Sequence, residues 1–326
     1  MRLSRRYIEL VEDIAREAEK ALSQIGFKHA RIETPRKTES RSIDMLAWNP
    51  KDERRRVFIK VTLDTNALSS QEYSDLAGAS KLTGAKPVVV SEYDRKIDMQ
   101  DDVIYKRSSI PSVNVKTLKS LLTESKDLYI IARKGDFYVR INGEKLRRER
   151  EKLGMSLGEL AELLGVTRKA VYEYERNTFD VSIECAEKLI ELFGEEITRP
   201  YSVFSDEEYK EVRVQAADNK VEERVMQLIR KSGGEVYHAK RTFADLFVRK
   251  GSMKMIVGIE HKRSAATIEE KAMELEKLTE LRDFKKILIV NKEKKRDFED
   301  RKEIVVLTEE EAYKLPSVLA CEREEE

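Results

Sequence analysis

Apolar residues recur at helical spacing through the middle of this 326-residue chain. Between residues 143 and 193 they repeat every three or four residues, which gives each of several short helices one buried face. Ser156 precedes an apolar run and Glu159 follows three residues later, a pattern typical of a helix N-terminus. Gly165 predicts the end of that helix, and Thr167 predicts the start of the next after a short turn. The positions expected to be buried are Leu146, Leu153, Leu157, Leu160, Leu164, Val166, Val171 and Tyr174.

This segment resembles the DNA-binding domains of the Cro and phage-repressor (XRE) family, because the order, spacing and type of its residues agree together. The resemblance implies an all-α helix-turn-helix domain that binds double-stranded DNA. Its third helix, which starts at Arg168, would enter the major groove. The resemblance also implies that Arg150 and Glu175 form a pair linking the first helix to the third, and that Arg176 and Asn177 contact phosphate. The residues placed at the DNA are Ser156, Thr167, Arg168, Lys169, Tyr172, Glu173, Arg176 and Asn177.

A helical bundle that contacts proteins is the alternative for this segment. Basic residues do not outnumber acidic ones between residues 143 and 194, so no general basic field covers it. DNA binding nevertheless needs cations only near the phosphates. Two local groups supply them, Arg147, Arg148, Arg150 and Lys152 on the first helix and Arg168 and Lys169 on the third. DNA binding is therefore the favoured interpretation.

The segments on either side predict two similar α/β domains with mixed sheets, each in the order helix, hairpin, helix, strand. In the first flank the helices are expected at 7–22 and 71–82, and the strands at 42–48, 57–61 and 86–90. In the last flank the helices are expected at 221–230 and 268–281, and the strands at 243–248, 255–260 and 287–290.

The predicted architecture is multidomain, with the helix-turn-helix between the two flanks. The predicted segments are a first domain at 1–126, a hairpin connector at 127–141, the helix-turn-helix at 142–196, a linker at 197–211, and a last domain at 212–326 that ends in an acidic tail.

Three residues of the last flank form a candidate nuclease site. Asp245 lies on one predicted strand, and Glu260 and Lys262 lie two residues apart on the next, so they would share a face with His261 opposite. Two carboxylates can hold Mg²⁺, and a lysine can position an attacking water. The arrangement resembles the PD-(D/E)xK nuclease fold, and archaeal Holliday junction resolvases in particular. That resemblance implies a catalytic role for Glu223, which is followed by arginine on the first helix.

The first flank resembles a degenerate copy of the same fold. Asp44 and Lys60 match the aspartate and the lysine of the last flank, but Phe58 replaces the glutamate. A site with one acid fewer would bind a divalent cation poorly. Because 38% of the residues are charged, Asp and Glu-x-Lys combinations also arise on solvated strand ends, and a structural role for the triplet of the last flank stays open.

Composition restricts the remaining possibilities. Lys and Arg number 63 against 62 Asp and Glu, so the net charge of +1 gives no argument for nucleic acid. Two cysteines exclude a disulfide framework, three histidines exclude a histidine-rich metal site, and His29 and His238 lack partners at metal-ligand spacing. No long apolar run and no signal peptide is visible, so we expect a soluble cytoplasmic protein without membrane contacts. No cofactor is expected, except Mg²⁺ under the nuclease hypothesis.

The leading hypothesis is a sequence-specific transcriptional regulator that binds double-stranded DNA as a homodimer at two half-sites. The three-part layout resembles archaeal regulators with a central XRE-type helix-turn-helix. The flanks would serve dimerisation or unknown protein partners, and their likeness suggests that they pack on each other as an internal pseudo-dimer. The alternatives are a Mg²⁺-dependent DNA endonuclease targeted by its helix-turn-helix, and a scaffold whose helix-turn-helix binds protein.

Overall fold

A computed structural model describes residues 5–35, 41–205, 215–261, 266–278, 280–281 and 283–318. The first flank opens with α1 (Arg5–Gln24), β1 (Lys28–Arg31), β2 (Met45–Asn49) and β3 (Asp52–Val61). It continues with α2 (Ser70–Thr83), β4 (Lys86–Val90), the ribbon of β5 (Tyr93–Asp94) and β6 (Ile97–Asp98), β7 (Val103–Arg107), β8 (Ile110–Val113) and α3 (Val115–Thr123). Ser69 begins α2 through a reciprocal capping box with Glu72, and Gly84 ends it in the left-handed conformation.

The predicted connector forms a hairpin of β9 (Ile130–Arg133) and β10 (Asp136–Val139). The helix-turn-helix region follows as α4 (Gly143–Lys152), α5 (Leu157–Leu164), α6 (Arg168–Glu175), β11 (Val181–Ser182) and α7 (Ile183–Phe193). Strand β9 pairs with β7 of the first flank, and β10 pairs with β11. One nine-stranded sheet, in the order β1-β2-β3-β4-β8-β7-β9-β10-β11, therefore connects the first flank to the helical region.

The last flank repeats the fold of the first. It consists of α8 (Lys220–Lys231), β12 (Glu235–His238), β13 (Leu246–Lys250), β14 (Met253–Ile259), α9 (Ile268–Glu276), β15 (Phe284–Val290), β16 (Ile304–Thr308) and α10 (Leu315–Val318). Its sheet has the order β12-β13-β14-β15-β16. The first two pairings are antiparallel and the last two are parallel, as in β1-β2-β3-β4-β8. The duplicated α/β pattern is confirmed.

The two flanks pack against each other through a shared core. Helices α1 and α3 cover one face of the first sheet, and α8 covers the outer face of the second. Between the sheets lie α2 and α9, with apolar side chains from both flanks in one cluster. The rings of Phe58 and Phe247 meet edge to face with centroids 6.1 Å apart. Buried Asp75 adds a polar link by accepting hydrogen bonds from Tyr237 Oη (3.1 Å) and Arg241 N (3.1 Å).

Several local expectations differ from the structure. Leu153 is 60% exposed because α4 ends one residue before it, at Lys152. Residues 197–205 do not form a free linker, since Tyr201 and Val203 are buried in the core of the first flank. The second half of that linker, from residue 206, and the acidic tail lie outside the described residues. None of the described helices is long and apolar enough to cross a bilayer.

Candidate functional site

Local hydrogen bonds and one glycine determine where the short helices α5 and α6 begin and where the turn between them lies. Ser156 Oγ accepts from Glu159 N (3.2 Å), and Glu159 Oε2 accepts from Ser156 N (2.7 Å). Gly165 follows α5 with φ 72°, a conformation that costs glycine nothing. Thr167 Oγ1 then accepts from Ala170 N (3.1 Å) and starts α6. The turn angle between the two helices is therefore set by local hydrogen bonds.

A buried ion pair joins α4 to the end of α6. Arg150 donates two hydrogen bonds to the Glu175 carboxylate, at 2.6 and 3.1 Å, and a third to Met155 O (2.6 Å). The Arg150 and Glu175 side chains are only 9% and 8% exposed. The hydrogen bond to Glu175 raises the pKa of Arg150 above its ordinary value although burial opposes the charge. The pair holds the outer helix at a fixed angle to the rest of the domain.

Asn177, which follows α6, makes a second contact between the end of α6 and the start of α4. Its φ is 59°, in the left-handed region that asparagine tolerates. Asn177 Oδ1 accepts from Gly143 N at 2.9 Å. Gly143 itself packs so closely that a Cβ there would lie 2.3 Å from Glu175 O. The exposed Asn177 thus anchors the start of α4, in addition to the phosphate contact that the resemblance implies.

The outward face of α6 carries cations and hydrogen-bonding groups. Arg168, Lys169, Tyr172 and Arg176 are exposed, whereas Val171 and Tyr174 are buried against the other helices. Arg176 Nη1 donates to Tyr172 Oη (2.8 Å) and its guanidinium lies 5.4 Å from the Tyr172 ring centroid. Exposed Thr167 and Ser156 lie at the N-termini of α6 and α5, and half-buried Glu173 accepts from Thr178 Oγ1 (2.5 Å). This surface has the shape and chemistry of a helix that enters a DNA major groove.

The candidate nuclease residues of the last flank are arranged differently from expectation. Asp245 is 9% exposed, and both its oxygens accept from Lys271 Nζ, at 2.8 and 2.7 Å. Its Oδ2 also accepts from Ile259 N (2.6 Å). The negative charge of Asp245 is therefore already compensated by a buried lysine from α9, a residue that the sequence analysis missed.

Glu260 does not take the expected place beside Asp245. Its carboxylate accepts from Asn291 N (2.9 Å) and pairs with Lys294 Nζ (3.0 Å). An imidazole nitrogen of His261 lies instead within 4.8 Å of an Asp245 oxygen, in a group with Glu222. Glu260 N still donates to Ile289 O of β15 (2.8 Å), so the expected face shared by Glu260 and Lys262 stays a prediction. Lys262 lies outside the described residues.

On α8, the acidic residue that faces this region is Glu222, one position before the predicted Glu223. Glu223 is exposed, and its nearest hydrogen-bond partner is Gln227 in the next turn. Glu222 is fully buried and accepts from Asp218 N (2.7 Å). Asn219 caps α8, and Glu222 points inward because it lies on the same helix face as buried Val225, Met226 and Ile229.

Strand register corrects the proposed match between the two flanks. Met45 pairs with Ile59 in the first flank, and Leu246 pairs with Val257 in the last. Asp44 and Asp245 are therefore equivalent, but Lys60 matches Gly258 and Phe58 matches Ile256. The sequence match was wrong by four residues, and because four is an even number the slip keeps every side chain on its face and leaves the hydrophobic pattern unchanged.

Both flanks nevertheless place a lysine on the equivalent aspartate. In the first flank Lys60 Nζ lies 3.2 Å from Asp44 Oδ2 and 3.8 Å from Glu72 Oε1. In the last flank Gly258 has no side chain, and the Lys271 stem passes over it, 3.5 Å from where a Cβ would be. The lysine thus comes from the strand in one flank and from the helix in the other.

Comparison with known proteins agrees with this geometry. A PD-(D/E)XK superfamily domain matches residues 11–128, and a helix-turn-helix domain matches residues 146–199. A "Putative HTH-type transcriptional regulatory protein" of Pyrococcus furiosus is 30% identical over 285 residues, 87% of this chain and 88% of that protein. Proteins with the same descriptive name from Thermococcus gammatolerans and Aeropyrum pernix are 35% and 31% identical, over 67% and 81% of this chain and 68% and 81% of theirs. The chain belongs to this archaeal family.

These matches confirm the resemblance of the central segment to helix-turn-helix domains and of the first flank to PD-(D/E)XK domains. The PD-(D/E)XK match falls on the first flank, the copy interpreted as degenerate, where Lys60 lies against Asp44 in the core. No solved structure matches the chain.

The inward-facing polar residues of the last flank had no sequence signal. Glu222, His238 and Lys271 come from α8, β12 and α9, and only the packing of the sheet brings them together. Burial opposes the charge of His238, but its hydrogen bond to Glu222 and the nearby acids leave its pKa above the ordinary value. Because these contacts depend on tertiary structure, neither spacing nor composition could have found them.

Proposed function

We propose that this chain is a sequence-specific transcriptional regulator that reads double-stranded DNA with α6. The observation that carries the proposal is the exposed face of α6, which presents Arg168, Lys169 and Tyr172 from a helix fixed by caps and by a buried ion pair. The names of its archaeal relatives, as HTH-type transcriptional regulatory proteins, support the same conclusion. Because its ligand is chromosomal DNA, we place the protein in the cytoplasm.

A binding selection from random duplex DNA at about 150 mM salt tests the proposal, because non-specific phosphate contacts weaken at that ionic strength. We expect an enriched motif. Equal binding to every duplex, or binding that vanishes with salt, would contradict sequence-specific regulation and favour a protein-binding role for the helices.

Arg168 is the residue from which we expect the largest loss of base preference. It is exposed at the first turn of α6, where a guanidinium can bond a guanine edge in the major groove. Replacing Arg168 by alanine should weaken binding to the selected site by about 1–3 kcal/mol and leave random DNA almost unaffected. Fluorescence anisotropy on both duplexes measures this. Arg16→Ala, which removes an exposed arginine of α1, is the matched control.

Arg176 should behave differently because it lies at the C-terminus of α6, stacked on Tyr172. We expect Arg176→Ala to weaken binding to specific and random duplexes by a similar factor, and to reduce the slope of log Kd against log salt by about one. A change in the preferred base without a change in that slope would assign Arg176 to base recognition instead.

We further propose that the chain binds a two-fold site as a homodimer. One short helix contacts few base pairs, and helix-turn-helix proteins commonly read two half-sites one helical turn apart. The shared core between the flanks is already used within one chain, so the dimer would form through other surfaces. Sedimentation equilibrium on the selected duplex should give two chains per site, and a single chain on an asymmetric motif would contradict the dimer.

The endonuclease alternative has less support. Lys271 occupies both oxygens of Asp245, and Glu260 bonds Asn291 and Lys294. If the protein cleaved duplex or branched DNA in Mg²⁺, and Asp245→Ala abolished the cleavage, the endonuclease hypothesis would be supported.

A further inference from the structure

The last flank contains a buried group of metal-ligating side chains that DNA recognition does not use. We propose that Asp218, Glu222 and His238 bind a divalent transition-metal ion, with Zn²⁺ as the preferred ion. One imidazole nitrogen with two carboxylates suits Zn²⁺ better than Mg²⁺, which prefers oxygen ligands and retains its waters. This proposal does not depend on the proposed function.

The spacing of the ligand atoms fits one ion. His238 Nε2 lies 3.2 Å from Glu222 Oε2 and 3.7 Å from Asp218 Oδ2, and one ligand atom from each residue lies within 4.8 Å of the others. Two atoms bound to Zn²⁺ at about 2.1 Å with a tetrahedral angle are roughly 3.4 Å apart. The three side chains thus need only small shifts to coordinate a common ion.

The imidazole is oriented as a metal ligand requires. His238 is 1% exposed, and its Nδ1 lies 2.9 Å from Ala216 O. Because a carbonyl oxygen only accepts, Nδ1 donates to it, and Nε2, which faces the two carboxylates, is the nitrogen left to bind either a proton or a metal ion. A backbone carbonyl on the second ring nitrogen commonly orients metal-bound histidines. Lys240 holds Asp218 through Oδ1 (3.0 Å), and Oδ2 faces the imidazole.

The second oxygen of Glu222 faces His261, on the side away from the proposed ion. The Glu222 side chain is fully buried, and its Oε1 has no hydrogen-bond partner among the described residues. His261 Nε2 lies 3.6 Å from that oxygen. A buried carboxylate with one oxygen unpartnered is costly. A cation coordinated by Oε2 would offset the cost of burying this carboxylate.

The first flank shows which side chain occupies the position equivalent to His238. Arg31 pairs with Met45 in β2 as His238 pairs with Leu246 in β13, so Arg31 and His238 are equivalent. Arg31 Nη2 lies 2.5 Å from Glu12 and Nη1 lies 3.6 Å from Glu19, both on α1. One flank therefore neutralises the carboxylates of its first helix with a permanent cation. The other places an imidazole there, whose Nε2 can hold either a proton or a metal ion between the carboxylates.

The neighbouring group of Glu222, Asp245 and His261 is a weaker candidate. Lys271 already donates to both oxygens of Asp245, so a cation occupies that side. The proposed ion would lie on the other side of Glu222, between α8 and β12.

Titration of the metal-free full-length protein with zinc chloride, followed by calorimetry and by metal analysis after gel filtration, tests the site. We expect one Zn²⁺ per chain, binding at least tenfold tighter than Mg²⁺, and a higher unfolding temperature with zinc. His238→Gln and Glu222→Gln should each weaken zinc binding at least tenfold. His29→Gln, a histidine of β1 outside the group, should bind as the wild type does.

His238→Arg is the sharpest variant because it reproduces the arrangement of the first flank. It should bind no zinc yet unfold no earlier than the metal-free wild type. Zinc binding that survives in His238→Arg would overturn the proposal, as would a folded wild type that binds no zinc. Loss of binding in His261→Gln but not in His238→Gln would place the ion in the neighbouring group and would also overturn it.

Discussion

Replacing Arg150 by alanine should destabilise the helix-turn-helix by about 3–5 kcal/mol, the usual cost of removing one partner from a buried ion pair. The variant leaves the Glu175 carboxylate, 8% exposed, without a cation, and it also removes the donor to Met155 O. Native-state hydrogen exchange across α4 to α6 is the suitable measurement. In a chain of several domains a single melting temperature does not report one segment.

Two variants separate the buried charge from lost packing. Arg150→Met with Glu175→Leu replaces both partners by apolar side chains of similar size, and should recover most of the stability. Arg147→Ala removes an exposed pair with Glu151 and should cost much less, because solvent screens exposed ion pairs. If Arg150→Ala lost no more than Arg147→Ala, the pair would not be what holds α6 in place.

Local signals explain what could be predicted from the sequence. The helix-turn-helix is specified by residues close to one another in the chain, such as Ser156 with Glu159, Gly165 and Thr167, and the structure contains each of these caps. The order of elements in both flanks was predictable for the same reason. The boundaries of helices and strands were less predictable, since α9 ends at Glu276 and not near residue 281.

Contacts between distant segments could not be predicted in the same way. The alternation of apolar residues in β3 and β14 fixes which face is buried, but a shift of four residues preserves it, so Lys60 was matched with the wrong residue. The contact of buried Glu222 with His238 joins α8 to β12. The Lys271 stem crosses Gly258 on its way to Asp245. Such relations become visible only when the two sheets are compared in register.

Replacing Phe247 by alanine should weaken both flanks, with a loss of about 3–5 kcal/mol for a large aromatic side chain removed from a core. Phe247 is fully buried, and its ring meets Phe58 of the first flank and Phe243 of its own. The cavity would therefore open in the core that the flanks share. Hydrogen exchange should accelerate in α2 and β3 of the first flank as well as in β13.

Val248→Ala is the matched control, because Val248 follows Phe247 on β13 and points to the opposite face. It is also fully buried, but it packs in the cluster beneath α8, which contains residues of the last flank alone. Its effect on exchange should be smaller and confined to that flank. If Phe247→Ala also left α2 and β3 protected, the flanks would fold independently despite their contact, and the internal pseudo-dimer would not be a cooperative unit. If both flanks respond, the shared core makes the two copies one folding unit, with the helix-turn-helix attached to it through the continuous first sheet.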